Sequence, residues 1–200
     1  MTSVTFYFDP GCPFTWITSR WLVDAAPRAG VDLHWRAFAL SLINEGRDVP
    51  EEYLPRFEAS NRALRVVESL VADGRTSDAA AFYTEYGTRE FVQGEPTGDA
   101  LAMAAGAAAG IGDVAARLDD ESADALVRAA FEEIRPLVGE DVGSPAIRLD
   151  GTDRAIFGPV VSPAPTGEDA DRLLEAVLAV LQLPMFFELK RTRVGDLDFS

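Results

Sequence analysis

The chain has 200 residues, 48% of them hydrophobic, enough for one domain with a sizeable core and room for an inserted subdomain. Its formal charge of −15 and pI near 4.4 argue against nucleic acid and anionic membrane surfaces as partners, since both require basic patches. No apolar run reaches the length of a membrane span, about 18 residues or more, and the single cysteine, Cys12, excludes an internal disulfide.

In chain order, Val4-Thr5-Phe6-Tyr7-Phe8 is β-branched and aromatic and predicts a strand. It follows Met1-Thr2-Ser3 without a basic region or cleavage-site pattern, so the expected location is the cytoplasm, whose reducing conditions suit a lone thiol. From Pro13 to about Arg28, Trp16, Ile17, Trp21, Leu22 and Ala25 recur at helical spacing, and Gly30 ends the run. Asp32 to Phe38 alternates and predicts a second strand, so the opening is strand, helix, strand: a parallel pair with a crossover helix. The chain's one histidine, His34, lies in this strand, where a structural role is the commoner one; no metal-ligand pattern occurs anywhere.

Residues 39–50 connect to a long helical region ending near Val138. Tyr53, Phe57, Leu64, Val67 and Val71 mark one helix, Phe82, Tyr83 and Tyr86 another, and Leu126, Ala130, Phe131 and Ile134 a later one that Pro136 should bend or end. Between them, the Ala-rich stretch 100–109 predicts a helix packed at short range. The sheet resumes with Ala146-Ile147-Arg148-Leu149, a turn through Asp150-Gly151, and Ala155-Ile156-Phe157. Thr166 and Asp169 open a last helix carrying Leu173, Leu174, Val177, Leu178 and Leu181, and the tail holds Lys190-Arg191-Thr192-Arg193, either an anion contact or a solvated terminus. The order is that of an α/β thioredoxin-like, DsbA-type fold, with residues 1–48 and 139–200 forming the thioredoxin-like domain and 49–138 an all-helical insertion.

Cys12 stands at the chemically informative position, inside Asp9-Pro10-Gly11-Cys12-Pro13-Phe14-Thr15-Trp16, where the first strand hands over to the first helix. Free N–H groups and the positive end of the helix dipole favour a thiolate there, and Pro13 suits a first helical turn. A lone cysteine is more often a small buried hydrophobe, but a Gly-Pro turn and a helix start are not a periodic apolar face. A lowered Cys12 pKa is therefore expected. Thr15 occupies the place of the second cysteine of a C-x-x-C pair; it cannot resolve a mixed disulfide, although its hydroxyl can donate to the Cys12 thiolate. In a thioredoxin-like layout the tip of the first helix faces the loop before the third strand, here Val142-Gly143-Ser144-Pro145, and the Ser144–Pro145 bond is expected to be cis.

Five segments carry a resemblance that spans nearly the whole chain: Asp9 to Trp21, Leu42-Ile43-Asn44-Glu45-Gly46-Arg47-Asp48, Gly139 to Pro145, Phe157-Gly158-Pro159, and Phe186 to Arg193. In this order they resemble the mycothiol-dependent nitroreductase family of DsbA-like proteins, in a variant with Cys-Pro-Phe-Thr in place of Cys-x-x-Cys. The resemblance implies a thiol oxidoreductase that uses mycothiol, the low-molecular-weight thiol of actinobacteria, to reduce disulfide or electrophilic, nitroaromatic-type substrates. It implies Cys12 as nucleophile, Phe14 as a wall of the site where the family has tryptophan, and Asn44 and Tyr53 as contacts for mycothiol or substrate. Taken by themselves, Asn44 is a turn residue and Tyr53 a helix-face aromatic. Ser144 and Pro145 match the family's cis-proline loop, with Ser for Thr, so that Phe14, Thr15, Asn44, Tyr53, Ser144 and Pro145 form the expected thiol-binding set around Cys12, in a cleft between the sheet and the helical block. No metal is implied. Kappa-class glutathione transferases and 2-hydroxychromene-2-carboxylate isomerases also lack the dithiol. A thiol transferase or isomerase with a bound thiol cofactor, or a non-enzymatic thiol-binding sensor, are the alternatives.

Overall fold

The first strand, β1 (Ser3–Phe8), lies inside a four-stranded sheet of the computed structural model, which describes residues 2–199. Val4 to Phe8 are buried without a break, as a strand covered on both faces must be. The helix α1 (Pro13–Arg28) returns the chain to β2 (Asp32–Ala37), which pairs parallel to β1 from Ser3↔Asp32 to Phe8↔Ala37. On its other edge β1 pairs antiparallel with β3 (Ala146–Leu149), and β3 forms a hairpin with β4 (Arg154–Phe157), giving the order β2-β1-β3-β4. The closing helix α8 (Gly167–Leu181) packs against α1, and Trp21 Nε1 donates to Ala170 O at 2.9 Å across that contact. The strand–helix–strand opening and the hairpin–helix ending are those expected of a thioredoxin-like α/β fold.

Between β2 and β3 stand α2 (Leu40–Ile43), α3 (Leu54–Ala72), α4 (Thr76–Gly87), α5 (Asp99–Ala108), α6 (Val114–Asp119) and α7 (Asp124–Val138). The periodicity marked α3, α4, α5 and α7; the one-turn α2, the short α6 and a single π-turn over Thr88–Val92 carry too few apolar positions to show in sequence. Pro136 does not end α7, which runs on to Val138 and stops at Gly139, whose φ of 99° is open to glycine. The buried stripe Val127, Ala130, Phe131 and Ile134 holds the helix through its last turn, although Pro136 removes one backbone hydrogen bond there. Thr166 caps α8 by backbone position alone, without a side-chain hydrogen bond.

The helices share one apolar core with the sheet. Tyr83 of α4 is its hinge pin: its ring centroid lies 4.1 Å from that of Phe8, 5.7 Å from Trp35 and 5.8 Å from Trp16. A second cluster, on the opposite face, joins Tyr7 and Phe38 to Phe131 and Ile134 of α7. Small residues permit this packing. A Cβ on Gly87 would stand 2.1 Å from Trp16 Cε3, and one on Gly106 of the Ala-rich α5 would stand 2.2 Å from Val114 Cγ2. No helix among the described residues is long and apolar enough to cross a membrane. Gly87→Ala must displace the Trp16 ring and should cost about 1–3 kcal/mol of stability, the range for overpacking a filled core. Urea denaturation will report it, and a loss below roughly 0.5 kcal/mol, the level of a neutral surface change, would contradict the close approach.

Candidate active site

Cys12 is the residue between β1 and α1, in the N-cap position with φ −93° and ψ 113°. The turn before it is fixed by Asp9. Its buried carboxylate accepts from Gly11 N at 2.9 Å, from Leu40 N at 2.8 Å, and from Ser60 Oγ. Cys12 N closes the turn on Asp9 O at 3.1 Å. Burial pushes the Asp9 carboxyl up, and the hydrogen bonds from Ser60, Leu40 and Gly11 pull it back. From the outer side, Arg56 Nε donates to Gly11 O at 2.8 Å while its guanidinium pairs with Glu90 of the π-turn. Burial raises Glu90 to about 7 against the pull of Arg56. Arg56 and Glu90 carried no sequence motif; only the fold brings α3 and the π-turn to this loop.

The thiol itself is 7% exposed and donates to Ser144 O at 3.5 Å. Thr15 Oγ1 lies 2.7 Å from Ser144 Oγ, and Ser144 Oγ accepts from Asp9 N at 3.0 Å. A hydroxyl has one proton to give. With Asp9 N–H already donating to Ser144, the Ser144 proton can point to Thr15 and the Thr15 proton to Cys12 Sγ. The Ser144–Pro145 bond is cis, as expected. Pro145 O accepts from Gly158 N at 2.8 Å, and Thr18 Oγ1 donates to Pro159 O at 2.9 Å, so both proline loops are tied to α1 and to each other.

The expectation of a lowered thiol pKa is corrected. Burial pushes the Cys12 thiol up, and the buried Asp9 carboxyl adds to the rise. The Thr15 hydroxyl and the amides of Thr15 and Phe14 oppose it and do not overcome it. The helix start favours the thiolate, but here it is covered; desolvation wins.

The structure brings Cys12, Thr15, Ser144 and Pro145 into one cluster. Phe14, half-buried, stands on the first turn of α1 with the Arg193 guanidinium 4.6 Å over its ring. Asn44 and Tyr53 lie further out. Asn44 closes α2, its Nδ2 donating to Leu40 O at 2.8 Å, one turn from the Leu40 amide that Asp9 holds. Tyr53 sits in a 3₁₀ turn, Glu51–Tyr53, with about half its surface (48%) in solvent. Among the described residues no hydrogen bond or ring contact joins either to Cys12. A largely apolar cleft of about 700 Å³ lies instead between α1, β2, α4 and α5, and a polar one of about 490 Å³ lies beside Ser41, Asn61 and Arg65; Cys12 lines neither. The described residues contain no group of three or more His, Cys, Asp or Glu side chains placed to hold a metal ion. His34 is half-buried on β2, its Nε2 3.4 Å from Asp32 Oδ2.

A parallel β1–α1–β2 unit, an antiparallel β3–β4–α8 unit, and a cysteine at the helix start facing a cis-proline loop define a DsbA-type, thioredoxin-like protein. Within that class the chain belongs to the Rv2466c-like family, that of the mycothiol-dependent nitroreductase Rv2466c, whose family model matches residues 11–191. By that membership it is a thiol-dependent oxidoreductase. It is 32% identical over 200 residues to the uncharacterized protein Rv2286c of Mycobacterium tuberculosis (strain ATCC 25618 / H37Rv), covering 96% of this chain and 83% of that one. Similar solved structures include 2-hydroxychromene-2-carboxylate isomerase, with a TM-score of 0.60, 19% identity, and 90% of this chain and 95% of that one covered. The probable DsbA oxidoreductase SCO1869 of Streptomyces coelicolor aligns with a TM-score of 0.57 and 18% identity over 99% and 94% of the two chains. The cytosolic disulfide reductase DsbM of Pseudomonas aeruginosa with GSH aligns with a TM-score of 0.56 and 17% identity over 88% and 99%. At these identities the structures share the fold.

The hydroxyl chain makes a prediction. Thr15→Val should raise the Cys12 titration midpoint by about 1 unit, the size of a lost hydrogen bond to a charged group. Ser144→Ala should raise it less, and should add little in the Thr15→Val background, because its effect passes through Thr15. Alkylation rate of the single thiol against pH reads all four proteins. The native midpoint should lie above the ordinary cysteine value, with reactivity gained as pH rises through it. Additive effects of the two substitutions would contradict the chain.

Proposed function

We propose that the protein reduces disulfide or electrophilic, nitroaromatic-type substrates in the cytoplasm through Cys12 as a single nucleophile, with mycothiol as the low-molecular-weight thiol. The observation that carries this is the placement of Cys12 Sγ at the start of α1, 3.5 Å from Ser144 O of the cis-proline loop, with a hydroxyl at Thr15 in place of a second sulfur. The residues fit such a thiol: one sulfur to accept it, the edge of an extended loop beside that sulfur, and no internal thiol to displace it. Bound mycothiol would supply the reducing equivalents and the second sulfur that Thr15 lacks. Cys12 attacks one sulfur of a substrate disulfide, the S–S bond breaks, and the leaving sulfur departs as thiolate. Cys12 then stands in a mixed disulfide and returns to the thiol when an external thiol takes its partner sulfur. Thr15 and Ser144 hold a proton on the sulfur in the ground state or a donor toward the thiolate in the reacting one. Phe14, Asn44 and Tyr53 are assigned to the thiol and substrate on the family resemblance.

One observation favours a second reading. Cys12 is covered and its thiol is pushed up, which suits a transferase or isomerase in which a bound thiol is the nucleophile and Cys12 positions it. A thiol-binding sensor would show adduct formation without turnover. Intact mass after incubation with mycothiol disulfide separates the covalent cycle from the transferase, and a turnover assay with mycothiol separates the sensor from both. Native protein should gain one adduct that persists until free thiol is added. Thr15→Cys, with a resolving thiol one turn from Cys12, should shed the adduct and form an internal disulfide. A native protein that forms no adduct would contradict the covalent cycle.

A further inference from the structure

The basic tail is not absorbed by this chemistry, and its position is specific. After α8 the chain returns over the first turn of α1, where Arg193 lies on Phe14, two residues from Cys12. Its far end is pinned. Asp198 N donates to Ser162 Oγ at 2.9 Å, and Phe199 stacks at 5.5 Å on Phe91, which stacks at 6.1 Å on Trp16. Leu197 and Phe199 pack against the core. The segment is therefore held against the first turn of α1 at two points, Phe14 and, through Phe91, Trp16.

Lys190, Arg191 and Arg193 are exposed, and none has a carboxylate partner among the described residues. Arg20, Arg47 and Arg154 also lack a carboxylate, but each donates to a hydroxyl or backbone oxygen, whereas the three tail cations make no hydrogen bond among the described residues. Every arginine of residues 54–138 is ion-paired, from Arg56 with Glu90 to Arg135 with Glu140. In a chain with 33 acidic against 18 basic residues, carboxylates are plentiful, yet Arg193 lies on Phe14, two residues from the thiol, without one, and its sequence neighbours Lys190 and Arg191 have none either. A guanidinium whose face rests on an aromatic ring keeps its edge N–H groups free, in the fork that matches a carboxylate.

We propose that Arg193, seated on Phe14 and supported by Lys190 and Arg191, is a subsite for an anionic group on the substrate of Cys12, so that the preferred disulfide or electrophile carries a carboxylate. This rests on Cys12 being the nucleophile. The site reads the substrate's charge locally, against the repulsion of a protein with net charge −15.

The single cysteine makes the test clean. Two aromatic disulfides serve as probes: 5,5′-dithiobis(2-nitrobenzoate), with two carboxylates, and uncharged 2,2′-dithiodipyridine. With each, the Cys12 thiolate attacks one sulfur, a mixed disulfide forms, and one chromophoric leaving group is released. The ratio of the two rate constants cancels any general change in access to Cys12. R193Q should lower the charged-to-uncharged ratio about three- to fivefold, the upper range of one favourable, partly exposed charge contact. R193K should retain most of the ratio, and K190Q/R191Q should lower it independently. R172Q, which removes one charge from the exposed face of α8, should leave it within about twofold. Added salt should depress the native ratio more than that of R193Q. A ratio that R193Q leaves unchanged, or that R172Q lowers equally, would overturn the subsite alone. A folded native protein that reacts with neither probe, while the unfolded chain reacts with both, would overturn the assignment of Cys12 and the subsite with it.

Discussion

The site depends on one buried carboxylate. Asp9, 1% exposed, takes hydrogen bonds from the amide that precedes Cys12, from the first amide of α2 and from Ser60 of α3. Its own N–H goes to Ser144. Four separate stretches of chain are thus fixed to one residue at the end of β1. A buried carboxylate left without these donors costs several kcal/mol, so the turn, α2 and the Ser144 loop hold together or come apart together. The place of Cys12 follows from this constraint, because the Asp9-Pro10-Gly11 turn leaves the next residue at the helix start.

The same carboxylate sets the electrostatics. A thiol at a helix N-terminus is ordinarily helped toward the thiolate. Here it is buried close to Asp9, with Ser144 O against the sulfur; burial and like charge raise its pKa. What remains on the thiolate's side is hydrogen bonding: the Thr15 hydroxyl, aligned by Ser144, and the first amides of α1. Hydrogen bonding opposes burial here without overcoming it, and the thiol keeps its proton to higher pH than a free cysteine.

The fold was largely legible in the sequence because its signals are local. The continuous apolar run of β1, the helical period after Cys12 and the Asp150-Gly151 turn each dictate their element without help from the rest of the chain. Of the seven site residues read from motif and resemblance, the backbone brings Cys12, Thr15, Ser144 and Pro145 together, with Phe14 on the adjoining turn, while Asn44 and Tyr53 lie further out. Even the five resemblance segments meet: Arg47 donates to Glu140 O at 2.9 Å, Gly158 to Pro145, and Arg193 covers Phe14. The pKa of Cys12 was not legible, because a helix start can be read from Pro13 but the depth at which it is buried cannot. Nor was the Asp9–Ser60 contact, or Arg56 with Glu90: these pairs span more than thirty residues and belong to packing, not to pattern.

The central claim is that Cys12 itself carries the covalent step. Steady-state turnover of the Cys12→Ser protein, with mycothiol as the reductant and an aromatic disulfide as substrate, tests it most directly. Folding of the variant is verified by its unfolding transition. Loss of turnover to the level of the uncatalysed thiol–disulfide exchange is the predicted result. Full activity in Cys12→Ser would contradict it and assign the nucleophile to the bound thiol.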